Sequence, residues 1–271
     1  MNQYITVSFK TGEDLTSIIT ALLMDSGFEG IEEQEDETIG SIPSELFNEE
    51  DVKEIFEKYT VNYSLSTVEQ QNWNAAWERS FEPVIIDNFA AIRASFHQPV
   101  KGVKHDIIIT PKMSFGTGHH ATTFLMVQQM KELDFKNKNV IDFGTGTAVL
   151  AILAEKLGAQ NIVAIDNDVW SIDNARENLE ANSCSKVELV LANEMIVSKK
   201  VDVILANINL NVIVKNLEKI KQASLPETYI VLSGLLVQDK KQISELLTAS
   251  EFHIIKIADK NNWIILLAKL K

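Results

Sequence analysis

The run Val140-Ile141-Asp142-Phe143-Gly144-Thr145-Gly146-Thr147-Ala148 holds the residue types and spacing best able to do chemistry in this chain. An apolar strand enters a turn with two glycines, and Val149 to Leu157 continues with helical apolar spacing. Such a turn lets backbone N–H groups and a helix N-terminus come close to a ligand. Asp166 closes the next apolar strand, Asn161 to Ile165, where a carboxylate can accept hydrogen bonds from ribose hydroxyls. Together they point to a nucleotide-like ligand. The glycines alone also fit a turn that only joins strand to helix, and the acid at the right distance favours the ligand.

Other marked residues fall where strands end. Asn193 follows Val187–Leu191, Asn207 follows Val201–Ala206, and Ser233 with Gly234 follows the strand from Tyr229. Ligands of open α/β sheets lie beyond these carboxyl ends. A second glycine segment, Pro111 to Thr123 with Phe115, Gly116 and Gly118, opens a helix, so its N–H groups can face an anion. The pair His119-His120 lacks carboxylate or cysteine partners in sequence, so a loop-orienting role is expected and no metal.

The elements that must hold these residues read as an α/β, doubly wound, Rossmann-like sheet of seven strands. Five parallel strands are expected at Val140–Phe143, Ile162–Ile165, Val187–Leu191, Val201–Ala206 and Tyr229–Ser233, with helices at 148–157, 169–182, 209–223 and 236–249 between them. Phe252–Ile257 and Trp263–Ala268 add a terminal hairpin, and strands Phe89–Phe96 and Asp106–Thr110 with helix Thr122–Leu133 precede the sheet. These elements make a domain of residues 86–271. Residues 1–65 form a small ferredoxin-like α+β domain, with strands Tyr4–Phe9, Phe28–Glu35 and Thr60–Leu65 and helices Leu15–Met24 and Val52–Tyr59. Residues 66–85 link the two, and Trp73, Trp77 and Phe81 share one helix face there.

Charge is unevenly placed. Residues 1–60 carry 15 acids and 3 bases, so −12 of the formal charge of −13 sits in that segment. Its field repels bare nucleic acid and attracts a basic protein, although a merely solubilising surface has the same composition. With one cysteine, Cys184, no internal disulfide forms, which favours a reducing cytosol. No apolar run approaches the roughly 18 residues of a membrane span, and Met1-Asn2-Gln3-Tyr4 does not read as a signal peptide. A cytoplasmic protein is expected, with a monomer as the default.

The spacing D-x-G-x-G at Asp142, Gly144 and Gly146 resembles the first motif of class I S-adenosylmethionine (AdoMet) methyltransferases, with Ala148 where a third glycine is usual. The F-G-T-G-x-H-x-T-T segment from Phe115, W-x-x-x-W…F-x-P from Trp73, I-D-F-G-x-G from Ile141, A-N-I at Asn207 and L-S-G at Gly234 resemble the ribosomal protein L-eleven methyltransferase (PrmA) family over essentially the whole chain. The resemblance implies AdoMet as donor, S-adenosylhomocysteine as product, and methylation of amino groups of the large-subunit ribosomal protein L-eleven, on lysines and at the N-terminal amine. It implies that residues 1–65 capture that substrate. Thr123, Gly144, Asp166 and Asn207 would contact AdoMet, while Phe115, Gly116 and Gly118 would shape the loop over it. Gly146 and Asn193 join the set by their place at strand ends. Asn207 would orient the amine toward the methyl group, and no general base is evident. His119, Ala121 and Ala148 depart from the family's Thr, Pro and Gly. A related methyltransferase acting on another protein lysine or a small molecule is the alternative. An NAD-dependent oxidoreductase is less favoured, because it would want G-x-G-x-x-G.

Overall fold

The chain divides into two units, 1–80 and 81–271. The computed structural model describes residues 3–28, 30–33, 37–69, 81–112, 116–197 and 199–271. The expected aromatic helix from Trp73 and the loop residue Phe115 lie outside the described residues, although Phe81 is within them.

In the first unit, β1 (Gln3–Phe9), α1 (Glu13–Asp25), β2 (Gly30–Glu33), β3 (Thr38–Pro43), α2 (Glu49–Tyr59) and β4 (Tyr63–Glu69) follow in order. The four strands are antiparallel in the order β2-β3-β1-β4, which is the ferredoxin-like arrangement. Strand β3 was not expected: Thr38-Ile39-Gly40-Ser41 is short and broken by glycine, so its alternation is faint. The last strand lies at Tyr63–Glu69 rather than 60–65, because Thr60 takes the left-handed conformation that ends α2. Asn48 caps α2 by accepting from the N–H of Glu50 at 3.1 Å, and Glu49, Glu50 and Asp51 complement the helix dipole. Both helices pack on one face of the sheet through Val7, Phe9, Ile19, Leu23, Ile42, Val52 and Phe56.

The second unit opens with a three-stranded sheet of β5 (Val84–Ile86), β6 (Ala90–Ala94) and β7 (His105–Ile109). β5 was not expected either, since three residues show no period. The nearly buried Arg93 of β6 makes a forked ion pair with Asp106 of β7, at 2.8 to 3.0 Å. Helix α3 (Ala121–Met130) leads into the main sheet. That sheet has β8 (Asn139–Phe143), β9 (Asn161–Asp166), β10 (Val187–Leu191), β11 (Val201–Asn207), β12 (Ser224–Leu236), β13 (Phe252–Lys260) and β14 (Trp263–Leu270). Their order is β10-β9-β8-β11-β12-β14-β13, parallel from β10 to β12, with β14 antiparallel to both its neighbours.

The crossovers are α4 (Val149–Lys156), α5 (Val169–Ala181), α6 (Leu210–Ala223) and α7 (Lys240–Ala249). Apolar side chains of α3, α4 and α5 fill one face of the sheet, and those of α6 and α7 fill the other. Central strands buried on both faces read as continuous apolar runs, which is why they stood out in the sequence. The strand sequence reverses direction between β8 and β11, and a ligand crevice is expected at that switch point.

Candidate active site

The turn after β8 is built by an aspartate the solvent never reaches. Asp142 is fully buried. Its Oδ2 accepts from the Thr145 hydroxyl at 2.7 Å and from the Ala151 N–H at 3.1 Å. Burial pushes its carboxyl up to about 7; those two hydrogen bonds work against the rise and the nearby Asp166 charge adds to it. Asp142 thus ties the turn to the first helical residues of α4.

Asp166 at the end of β9 ties the turn from the other side. Its Oδ2 accepts from the N–H of Gly146 at 2.8 Å and its Oδ1 from the N–H of Asp168 at 3.1 Å. Each oxygen keeps a lone pair for a further donor. Asp168 in turn caps α5 through the N–H groups of Trp170 and Ser171, both at 3.2 Å.

A cavity of about 370 Å3 lies at the switch point, and Gly144, Gly146, Asp166, Asn193 and Asn207 all line it, with Phe143, Asn167, Ser171 and Ile208. Five of the expected residues are therefore brought together. Two others, Thr123 and Gly116, are not in its lining. Thr123 is fully buried on α3, and its hydroxyl accepts from the Asn207 amide at 3.4 Å. The carbonyl of Gly116 accepts from the Thr147 hydroxyl at 2.9 Å, and a Cβ on Gly116 would meet that hydroxyl at 2.5 Å.

A second cavity, about 240 Å3, is lined by His120, Thr122, Asn207, Ile208, Asn209, Gly234 and Trp263. Asn207, Ile208 and Asn209 thus form a wall shared by both cavities. Asn207 Oδ1 is buried with no hydrogen-bond donor. Asn209 caps α6 by accepting from Val212 N–H at 3.1 Å, which fixes the end of the shared wall.

Ile208 was not singled out from the sequence, yet two glycines make room for it. A Cβ on Gly144 would meet its Cγ2 at 2.3 Å, and a Cβ on Gly234 would meet its carbonyl oxygen at 2.5 Å. The two histidines behave as loop-orienting groups. His120 Nδ1 accepts from Thr122 N–H at 3.3 Å, capping α3, and the ring meets Trp263 edge-on at 4.7 Å. His119 Nε2 lies 3.0 Å from the carbonyl of Glu82. Among the described residues no group of three or more His, Cys, Asp or Glu could hold a metal ion.

This strand order, with a glycine turn and a second-strand acid at the switch point, defines a class I AdoMet-dependent methyltransferase. The family model described as Ribosomal protein L11 methyltransferase (PrmA) matches residues 4–271. The chain belongs to that family. It is 35% identical to the Ribosomal protein L11 methyltransferase of Phocaeicola vulgatus, over 96% of this chain and 97% of the other. It is 37% identical to that of Chlorobaculum parvum, over 97% and 95%. A crystal structure of ribosomal protein L11 methylase from Lactobacillus delbrueckii subsp. bulgaricus superposes with a TM-score of 0.66 at 27% identity, covering 70% of this chain and all of the other.

Proposed function

We propose that this chain methylates amino groups of the large-subunit ribosomal protein L11, with the larger cavity holding AdoMet and the smaller one admitting the amine. Membership of the family supports the substrate. The observation that carries the geometry is the buried, donorless Asn207 Oδ1 in the wall common to both cavities. An unpaired buried acceptor is costly, so the amide gains by turning this oxygen toward an amine N–H when the amine enters.

AdoMet supplies an electrophilic methyl group on sulfur. Asp166 is set to accept from the ribose hydroxyls with the lone pairs its backbone partners leave free. Asn207, held by Thr123 from behind, orients the amine so that its lone pair faces the carbon. Alignment of this kind can supply much of the rate of a direct displacement. Among the described residues the wall of the smaller cavity carries no carboxylate, so they offer no counter-charge to an ammonium and favour the neutral amine. Residues 1–65 would recognise the basic substrate through their acidic surface, in the cytoplasm. No helix is long and apolar enough to cross a membrane among the described residues.

The test is incubation with labelled AdoMet and unmethylated large-subunit ribosomal proteins, followed by mass spectrometry of the labelled band. Asn207→Ala should lower turnover by at least about tenfold and leave AdoMet affinity within a few-fold of the parent. A parallel collapse of both would make Asn207 a cofactor anchor instead.

A further inference from the structure

Helix α5 carries asparagines at positions 174 and 178, and its C-cap Asn182 continues the series, each one helical turn apart. Four helical residues rise about 6 Å and two strand residues about 6.6 Å, so amides at this spacing can match alternate residues of a strand. Asn182 and Asn178 do so at Ile108 of β7 and at Thr110 just beyond it, and Asn174 joins Asn178 on Thr110. Asn182 accepts from the N–H of Ile108 at 3.0 Å and donates to its carbonyl at 2.6 Å. Asn178 Oδ1 accepts from the N–H of Thr110 at 2.7 Å, and Asn174 Nδ2 donates to the carbonyl of Thr110 at 3.1 Å.

Asn178 differs from the other two in what its second group does. Its Nδ2 donates to the carbonyl of Thr147 at 2.9 Å, inside the glycine turn after β8. Thr147 then donates through its hydroxyl to the carbonyl of Gly116, in the second glycine segment. One fully buried amide therefore spaces the two glycine segments.

We infer that Asn178 is a positioning residue for the cofactor: it sets the gap between the two glycine segments that receive the amino-acid end of AdoMet. The inference rests on the proposed AdoMet site and on taking the anion that the N–H groups of the second segment can face as the methionine carboxylate. Asn178 touches neither ligand nor reacting atoms and acts through the backbones of Thr110 and Thr147. Loss of its Nδ2 frees the Thr147 carbonyl while the ribose acid keeps its own supports at Gly146 and Asp168.

Two ligands separate positioning from general support: S-adenosylhomocysteine, which has the amino-acid end, and 5′-methylthioadenosine, which lacks it. Titration calorimetry is run on full-length Asn178→Ala and Asn178→Asp, with Asn182→Ala as the control from the same ladder. Asp keeps an acceptor for Thr110 but has no donor for Thr147, so it serves if the alanine variant fails to fold. Both Asn178 variants should lose about tenfold or more in affinity for S-adenosylhomocysteine, the worth of roughly one hydrogen bond, and less than about twofold for methylthioadenosine. Asn182→Ala should lower the melting temperature and leave both affinities unchanged. Equal losses for the two ligands in the Asn178 variants, or none, would overturn the inference. If the parent protein binds both ligands equally well, the reading of the glycine segments as the amino-acid site fails instead.

Discussion

Asp142 is an acid kept out of water in the middle of a cofactor turn, and its carboxyl is pushed up to about 7, chiefly by burial. The sign of its effect on stability follows from proton counting. Between its ordinary value of 3.8 and about 7 the folded protein holds the proton and the unfolded chain has released it. Raising the pH through that window therefore favours unfolding, and above it the loss is complete. Asp142→Asn should remove this slope. Thermal melts of the two proteins should diverge from pH 4 up to about 7 and run parallel above it, and curves parallel throughout would show that Asp142 ionises normally. Ala148 is a second residue under constraint. It stands where the family's glycine is usual, fully buried with φ of 62°, a left-handed conformation. An L side chain there costs about 1–2 kcal/mol, so Ala148→Gly should stabilise the protein by up to about 1 kcal/mol after the entropy of the added glycine is counted. A urea titration with unchanged slope and a higher midpoint is the expected result.

The elements show which parts of the fold declare themselves in sequence. The central parallel strands were legible because both their faces are buried and apolar, and the glycine turn because its residue types have few other uses; β10, at the sheet edge, is half-buried and stood out by its β-branched and apolar run alone. The strands β3 and β5 were not, because a glycine interrupts one and the other has three residues. The asparagine ladder carried a signal that could have been found, since amides at one-turn spacing along a helix and its cap, two of them fully buried, want partners. Ile208 carried none: its importance comes from Gly144 after β8 and Gly234 in β12 closing on it. Gly234 sits where the β12–β14 register shifts, with φ of 81°, and a Cβ there would meet the Ile208 backbone N, C and O at 2.5 to 2.8 Å. Backbone cannot swing aside as a side-chain tip can. Gly234→Ala should thus cost roughly 1–3 kcal/mol, and it should shift the wall shared by the two cavities. Loss of turnover beyond what the melting temperature explains is the expected signature, and a fully active, fully stable variant would refute it.

At the scale of the molecule the two units differ most in charge. Nearly all of the formal −13 lies in residues 1–60, while every described residue lining the two cavities belongs to the second unit. Cofactor binding and substrate capture should therefore be separable. Deleting residues 1–80 should leave AdoMet affinity within about twofold and lower turnover on the ribosomal protein by at least about tenfold. Steering by an acidic surface weakens as salt screens it. The full-length enzyme should accordingly lose kcat/KM between 50 and 300 mM salt, and the truncated one should show little change. Undiminished turnover by the truncated protein would remove the first unit from recognition.

The ladder on α5 also decides what β7 can meet outside this molecule. β7 pairs with β6 along one edge, and its opposite edge would otherwise offer a row of donors and acceptors to any extended chain that passed. Bare edges of this kind seed association between copies during folding. Here Ile108 and Thr110 have given their N–H and C=O groups to side chains of the same protein. The edge is closed without a strand. A chain stripped of all three asparagines should therefore be lost to aggregates as it is synthesised, at concentrations where the parent refolds cleanly.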